Sequence, residues 1–308
     1  MCLERCCGIV GILLKLYCKS GCRAGAVASA LAFHPPSPPV YELRKREQRS
    51  DQKAGASFQL VRNHPDLPVV DTTVSPEVHL VGVAGNRSRI VVSVYRKANA
   101  DLTLIHSHGN AADIGIMHER YKLLSTVLGC NVVGYDYTGY GHSTGTPEER
   151  KTYKDIEAVL RFVQDIGLVS DVAKQVILYG QSIGSGPSVW LASQVRVLAM
   201  ILHSPIASGL RVITSSRLLC CCDIFPNLER IRKVKRPVFV IHGSDDEEVD
   251  VTNGIRLFNN LPQRETAQSW WVPRAGHNDI VQLNFEEYVE NIKSFVTFAK
   301  QGGSMGAV

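Results

Sequence analysis

Short apolar runs alternate along most of this chain with stretches whose apolar residues recur every three to four positions. Runs at 77–84 and 89–96 predict an early strand pair. Further runs at 102–106, 131–135, 175–180, 197–203, 237–242 and 269–272 predict six later strands. Between them, Met117, Tyr121, Leu124 and Leu128 share one helical face, as do Ile156, Val159, Leu160 and Val163. Strands alternating with helices imply an α/β domain with a mostly parallel central sheet and helices on both faces. In such sheets the chemistry collects beyond the carboxyl ends of the strands.

The first 23 residues follow another pattern. Leu3, Cys7, Val10, Leu14 and Tyr17 fall at helical spacing, with Glu4, Gly8, Gly11, Lys15 and Lys19 opposite them. The apolar stretch 6–14 is far shorter than the roughly 20 residues a spanning helix needs, so it is expected to lie on a membrane. A cleaved signal peptide is the rival reading, disfavoured by Glu4, Lys15 and the cysteines. Residues 34–40 (HPPSPPV) cannot continue a helix and mark a boundary. The expected organisation is thus a membrane-anchoring segment over 1–40, a catalytic domain over 41–300 and a flexible tail over 301–308.

Charge and cysteine content sharpen this picture. Of 34 Lys/Arg and 29 Asp/Glu, residues 1–53 hold nine and four, so the whole net charge of +5 lies there. A basic segment flanked by cysteines and aliphatics suits an anionic membrane surface better than nucleic acid, and no nucleic-acid partner is expected. The nine cysteines are Cys2, Cys6, Cys7, Cys18, Cys22, Cys130 and the run Cys220, Cys221 and Cys222. An odd count in a large chain argues against a disulfide framework, and the spacing does not suit zinc. Without Gly at position 2 there is no myristoylation, which leaves S-acylation of Cys2, Cys6, Cys7, Cys18 and Cys22. Arg44, Lys45, Arg46 and Arg49 form either a second membrane signal or a solvated linker.

The candidate chemistry sits at strand ends. Gly180-Gln181-Ser182-Ile183-Gly184 follows an apolar strand and opens a helix, the setting of a strained turn that lifts a nucleophilic serine above a sheet. A serine needs a base, and His277 follows the last predicted strand, in the order Ser, Asp, His. His106, His108, His203 and His242 also lie at strand ends and are read as structural supports. The loop HGSDDEEVD (242–250) offers five carboxylates; Asp246 is preferred by its spacing from Gly243 and Val249, with Asp245 next. Backbone N–H groups of Asn110 and Ile183 are the expected oxyanion donors, Ala111 being the alternative to Asn110. The loop DYTGYGHS (136–143) lacks the ending of a phosphate loop. No metal or cofactor is implied.

The sequence resembles the alpha/beta-hydrolase domain-containing 17 family of membrane-anchored protein depalmitoylases over about residues 25–300. The matching strings include LAFHPPSPPVYEL (31–43), HSHGNAADIG (106–115), GYDYTGYGHSTG (134–145), ILYGQSIGSGP (177–187), LHSPIASGLRV (202–212), DIFPNLERIRKVKRPVFVIHG (223–243) and RAGHNDI (274–280). The resemblance implies the α/β-hydrolase fold, a triad of Ser182, Asp246 and His277, and acylated N-terminal cysteines holding the enzyme at the cytoplasmic face of the plasma or endosomal membrane. It further implies hydrolysis of palmitoyl thioesters on S-palmitoylated membrane proteins, with a lipid esterase and a non-catalytic scaffold as alternatives. Glu248 and the run Cys220 to Cys222 depart from the family pattern, and the segment 204–236 lies where this fold builds a cap over the acyl pocket.

Overall fold

A computed structural model describes residues 32–45, 58–62, 75–85, 87–209 and 223–302. Expectations for Cys2 to Cys22, for Arg46 and Arg49, for Cys220 to Cys222 and for the tail 303–308 lie outside them. The frame is one ten-stranded sheet in the order β1-β2-β3-β4-β6-β5-β7-β8-β9-β10. Strands β1 (Tyr41–Lys45), β2 (Phe58–Arg62), β3 (Glu77–Gly82) and β4 (Arg89–Tyr95) pair antiparallel, and β4 meets β6 (Asn131–Tyr135) in the same sense. From β6 onward, β5 (Thr103–Ser107), β7 (Val176–Gln181), β8 (Ala199–His203), β9 (Val238–Gly243) and β10 (Ala267–Val272) run parallel.

The central strands are buried from end to end because helices cover both faces, which is why they read as continuous apolar runs. Alternate residues serve opposite cores. Ile105, Leu178, Met200 and Leu202 face one cluster, whereas Leu104, Ile177, Tyr179 and Ile201 face the other. Helix α1 (His118–Leu128) adds Tyr121 and Leu124 to the second core. Helices α2 (Glu149–Asp165), α3 (Ser185–Gln194) and α4 (Thr252–Asn259) cover the first, and α5 (Phe285–Lys300) closes the second through Tyr288, Ile292 and Phe295. Each side chain of Val, Ile, Leu or Phe size buried in this way stabilises by about 1.5–3 kcal/mol relative to exposure.

Two local findings bear on the site. The residue just before the Pro-rich stretch packs against the domain: Phe33 is in the core, edge-on to Tyr140 and Phe225. Arg44 and Lys45 belong to β1 rather than to a linker. The one described cysteine, Cys130, is buried, and burial pushes its thiol up to about 12, so it stays protonated and unreactive. No helix among the described residues is long and apolar enough to cross a membrane.

Candidate active site

Ser182 begins where β7 ends and the chain turns into α3, with φ at +52°. A non-glycine residue in that region is strained, and it persists only where its surroundings fix it. They do so by crowding. A Cβ on Gly184 would lie 2.2 Å from the Ser107 carbonyl oxygen, and one on Gly180 would lie 2.7 Å from that of Gly184. Only glycine lets the turn approach β5 this closely, which is the physical content of the G-x-S-x-G spacing.

Because β9 and β10 are parallel neighbours, their following loops emerge side by side. That topology brings Asp246 to His277. The His277 Nδ1 is 2.7 Å from Asp246 Oδ2, and its Nε2 is 3.0 Å from Ser182 Oγ. All three residues are buried. Asp245 is exposed and accepts from the Ser244 hydroxyl instead. The acid nearest the imidazole is therefore Asp246.

Asp246 is held by more than His277. Its Oδ1 accepts from the Glu248 and Val249 N–H groups at 3.0 and 2.7 Å. The buried His242 places Nε2 2.7 Å from the Val249 carbonyl and 3.1 Å from Asp246 Oδ2. A carbonyl can only accept, so Nε2 carries the proton and shares it between the two oxygens. Burial alone would raise the Asp246 carboxyl. The hydrogen bonds from His242, His277 and Val249 outweigh it and hold the group well below the usual carboxylate range. The sequence reading of His242 as a loop support thus omitted its contact with the acid, although its place just before the acid loop was the available signal.

The β5 loop supplies the remaining wall. The His108 carbonyl accepts from the Tyr137 hydroxyl at 2.6 Å, and the ring of His108 lies 3.5 Å from Asp136. The Asn110 side chain is fully engaged: Oδ1 accepts from the His34 N–H and the Tyr140 hydroxyl, and Nδ2 donates to the Ala32 carbonyl. What Asn110 can offer a substrate is its backbone N–H. Ile183 lies in the first turn after Ser182, where helical N–H groups have no partner within the helix. Gly109 sits between these donors and the serine, its Cβ direction 3.9 Å from Ser182 Cβ.

His106 and His203 lie beneath, both neutral because burial lowers them well below the ordinary range. His106 stacks on Tyr179, with ring centroids 4.5 Å apart, and the Tyr179 hydroxyl is 2.7 Å from His203 Nδ1. Above them opens a cleft of about 590 Å³ whose lining includes Asn110, Met117, Arg120, Glu248 and Asn278 around Ser182 and His277. Among the described residues no group of three or more His, Cys, Asp or Glu side chains is placed to hold a metal ion.

A serine on a strand-to-helix turn, an Asp-supported histidine and a mostly parallel sheet define an α/β hydrolase. The profile of the alpha/beta hydrolase fold matches residues 103–218. An esterase of Pyrococcus furiosus superposes with a TM-score of 0.61 at 20% identity, covering 76% of this chain and 98% of the other. Est1E of Butyrivibrio proteoclasticus, solved with ferulic acid bound, gives 0.56 at 16% identity over 70% and 97%. Human alpha/beta hydrolase domain-containing protein 17B is 39% identical over 92% of this chain and 95% of its own length. The Caenorhabditis elegans protein aho-3 is 38% identical over 88% and 78%, and mouse protein 17C is 36% identical over 94% of each. The chain belongs to the alpha/beta hydrolase domain-containing 17 family.

Proposed function

We propose that the chain is a serine hydrolase that removes long acyl chains, palmitate above all, from S-acylated cysteines of membrane-associated proteins. The observation that carries the chemistry is the line from Ser182 through His277 to Asp246, at 3.0 and 2.7 Å. In the proposed reaction Ser182 Oγ attacks the thioester carbonyl as His277 Nε2 takes its proton. The Asn110 and Ile183 N–H groups receive the charge on the carbonyl oxygen. Collapse of the tetrahedral adduct expels the cysteine sulfur, which takes the proton from His277. Water, deprotonated by His277, then releases the fatty acid and restores Ser182. The thioester substrate rests on the family resemblance, and hydrolysis of oxygen esters of lipids is the competing reading.

The proposal places the enzyme at the cytoplasmic face of a membrane, held by acylated Cys2, Cys6, Cys7, Cys18 and Cys22 beside an anionic surface. The test is turnover of S-palmitoyl peptides against acylglycerols of equal chain length. We expect the peptides to be preferred and Ser182→Ala to lose at least about a thousandfold in rate together with labelling by a fluorophosphonate. Turnover of acylglycerols alone would overturn the thioesterase reading, and a fully active Ser182→Ala variant would overturn the nucleophile.

A further inference from the structure

Arg120 lies in the first turn of α1, and its side chain lines the cleft that holds Ser182 and His277. It is half-buried. The neighbouring acid is already engaged, since Glu119 lies 3.5 Å from the Lys122 ammonium and 3.8 Å from the His118 ring. The other carboxylate of the cleft, on Glu248, accepts from the Asn278 amide at 2.9 Å. Among the described residues no carboxylate or carbonyl pairs with the Arg120 guanidinium.

The buried groups that sense the Arg120 charge are themselves uncharged. Its field reaches His106, Tyr179, His203 and Tyr288, all buried, the two histidines being neutral and the two tyrosines protonated. A cation partly withdrawn from water with no acid paired to it bears a desolvation cost that an anion would offset. A second polar group waits in the same cleft. Gln181, beside the nucleophile, is 8% exposed, and its Oε1 has no partner among the described residues. An unpartnered amide oxygen takes a donor, such as a backbone N–H of a bound peptide, while the Nε2 of the same side chain can donate to a carboxylate.

We propose that Arg120 is a specificity-determining residue that pairs with a carboxylate of the substrate polypeptide, an Asp or Glu next to the acylated cysteine, assisted by the Gln181 amide. The inference rests on the thioesterase reading and narrows its substrate class. A polypeptide is favoured over the phosphate of a lipid headgroup because Glu248 lines the same cleft. Its negative charge opposes a phosphate monoester, whereas a peptide can turn a backbone N–H or a basic side chain toward it while its acid meets Arg120.

The experiment uses the full chain and S-octanoyl peptides that differ only in the residue beside the cysteine: Glu, Gln or Lys. Active sites are counted by fluorophosphonate titration, so that an unfolded variant is recognised as such. The expected wild-type order in kcat/KM is Glu over Gln over Lys, with about tenfold at the first step, the size of one charge-assisted hydrogen bond in a partly wet cleft. Arg120→Gln should bring the Glu-to-Gln ratio near one, and Arg120→Glu should invert the order in favour of Lys. Equal wild-type rates on all three peptides, or a Glu preference that survives Arg120→Gln, overturns the proposal. Lysophosphatidic acid against monoacylglycerol is the lipid arm. An Arg120-dependent preference there, without one among the peptides, also overturns it by assigning the guanidinium to a phosphate. Failure of the thioesterase reading is separately visible, as no turnover of any peptide beside turnover of the ester.

Discussion

Asp246 receives hydrogen bonds from four groups, and only the one from His277 was expected from the sequence. His242 reaches both the Val249 carbonyl and Asp246 Oδ2, and so positions the acid that orients His277. His242→Asn shortens that side chain and should lose both contacts. On a soluble thioester kcat should fall about tenfold, the size of one charge-assisted hydrogen bond, with KM nearly constant. Steady-state kinetics on enzyme counted by fluorophosphonate titration check it, and a rise in KM at unchanged kcat would contradict it. Ser182, Asp246 and His277 were legible because each sits in a short motif whose spacing has a geometric reason. Arg120 was not, because no local pattern tells which side of α1 borders the cleft.

A buried acid of α2 helps to fasten the loop between β6 and α2. Asp155 of α2 accepts from the Thr138 N–H at 2.7 Å and from its hydroxyl at 2.8 Å. Burial nonetheless pushes the Asp155 carboxyl up to about 7, against those hydrogen bonds. A carboxyl raised in the folded state binds more protons there than in the unfolded chain between about pH 4 and 7. Stability should fall as pH rises through that window and level off above it. Asp155→Asn has no such titration, so its melting temperature should decline less than that of wild type between pH 5 and 8, by an amount corresponding to a few kcal/mol. Calorimetric scans across this range check it; parallel curves for the two proteins would contradict it. Most elements were legible from periodicity, with ends displaced by one or two residues. Strand β1 was missed because YELRK carries three charges and lies at the sheet edge, where no continuous apolar run is required; β2, FQLVR, was missed because its short alternation sits between the polar stretches 46–57 and 63–66.

For the molecule as a whole, composition reported the uneven charge and the uneven cysteines, and these support the membrane proposal. One acyl chain gives only marginal membrane binding, so single cysteine substitutions should be mild. Replacing Cys2, Cys6, Cys7, Cys18 and Cys22 together with serine should move the protein to the soluble fraction. Activity on membrane-bound acyl-proteins should fall while turnover of a soluble thioester holds. Fractionation with the two assays tests this; a variant still firmly on membranes would refute the acyl anchor. The sheet order was beyond sequence reasoning, since strand neighbours depend on which crossovers pack and not on the strands' own residues.

Asn110 donates to the Ala32 carbonyl and accepts from the His34 N–H, which fixes the point where the N-terminal segment reaches the domain, and that point is the rim of the cleft. Nine residues lie between Cys22 and Ala32, so the two are at most about 36 Å apart along a fully extended chain. The proposed anchor would therefore lie close to the mouth. An enzyme so held could not turn its opening far from the lipid, and it would sample substrates within a thin layer rather than a volume. Its working rate would then follow the surface density of acyl-proteins, and lengthening that stretch of chain would dilute the enzyme without touching its chemistry.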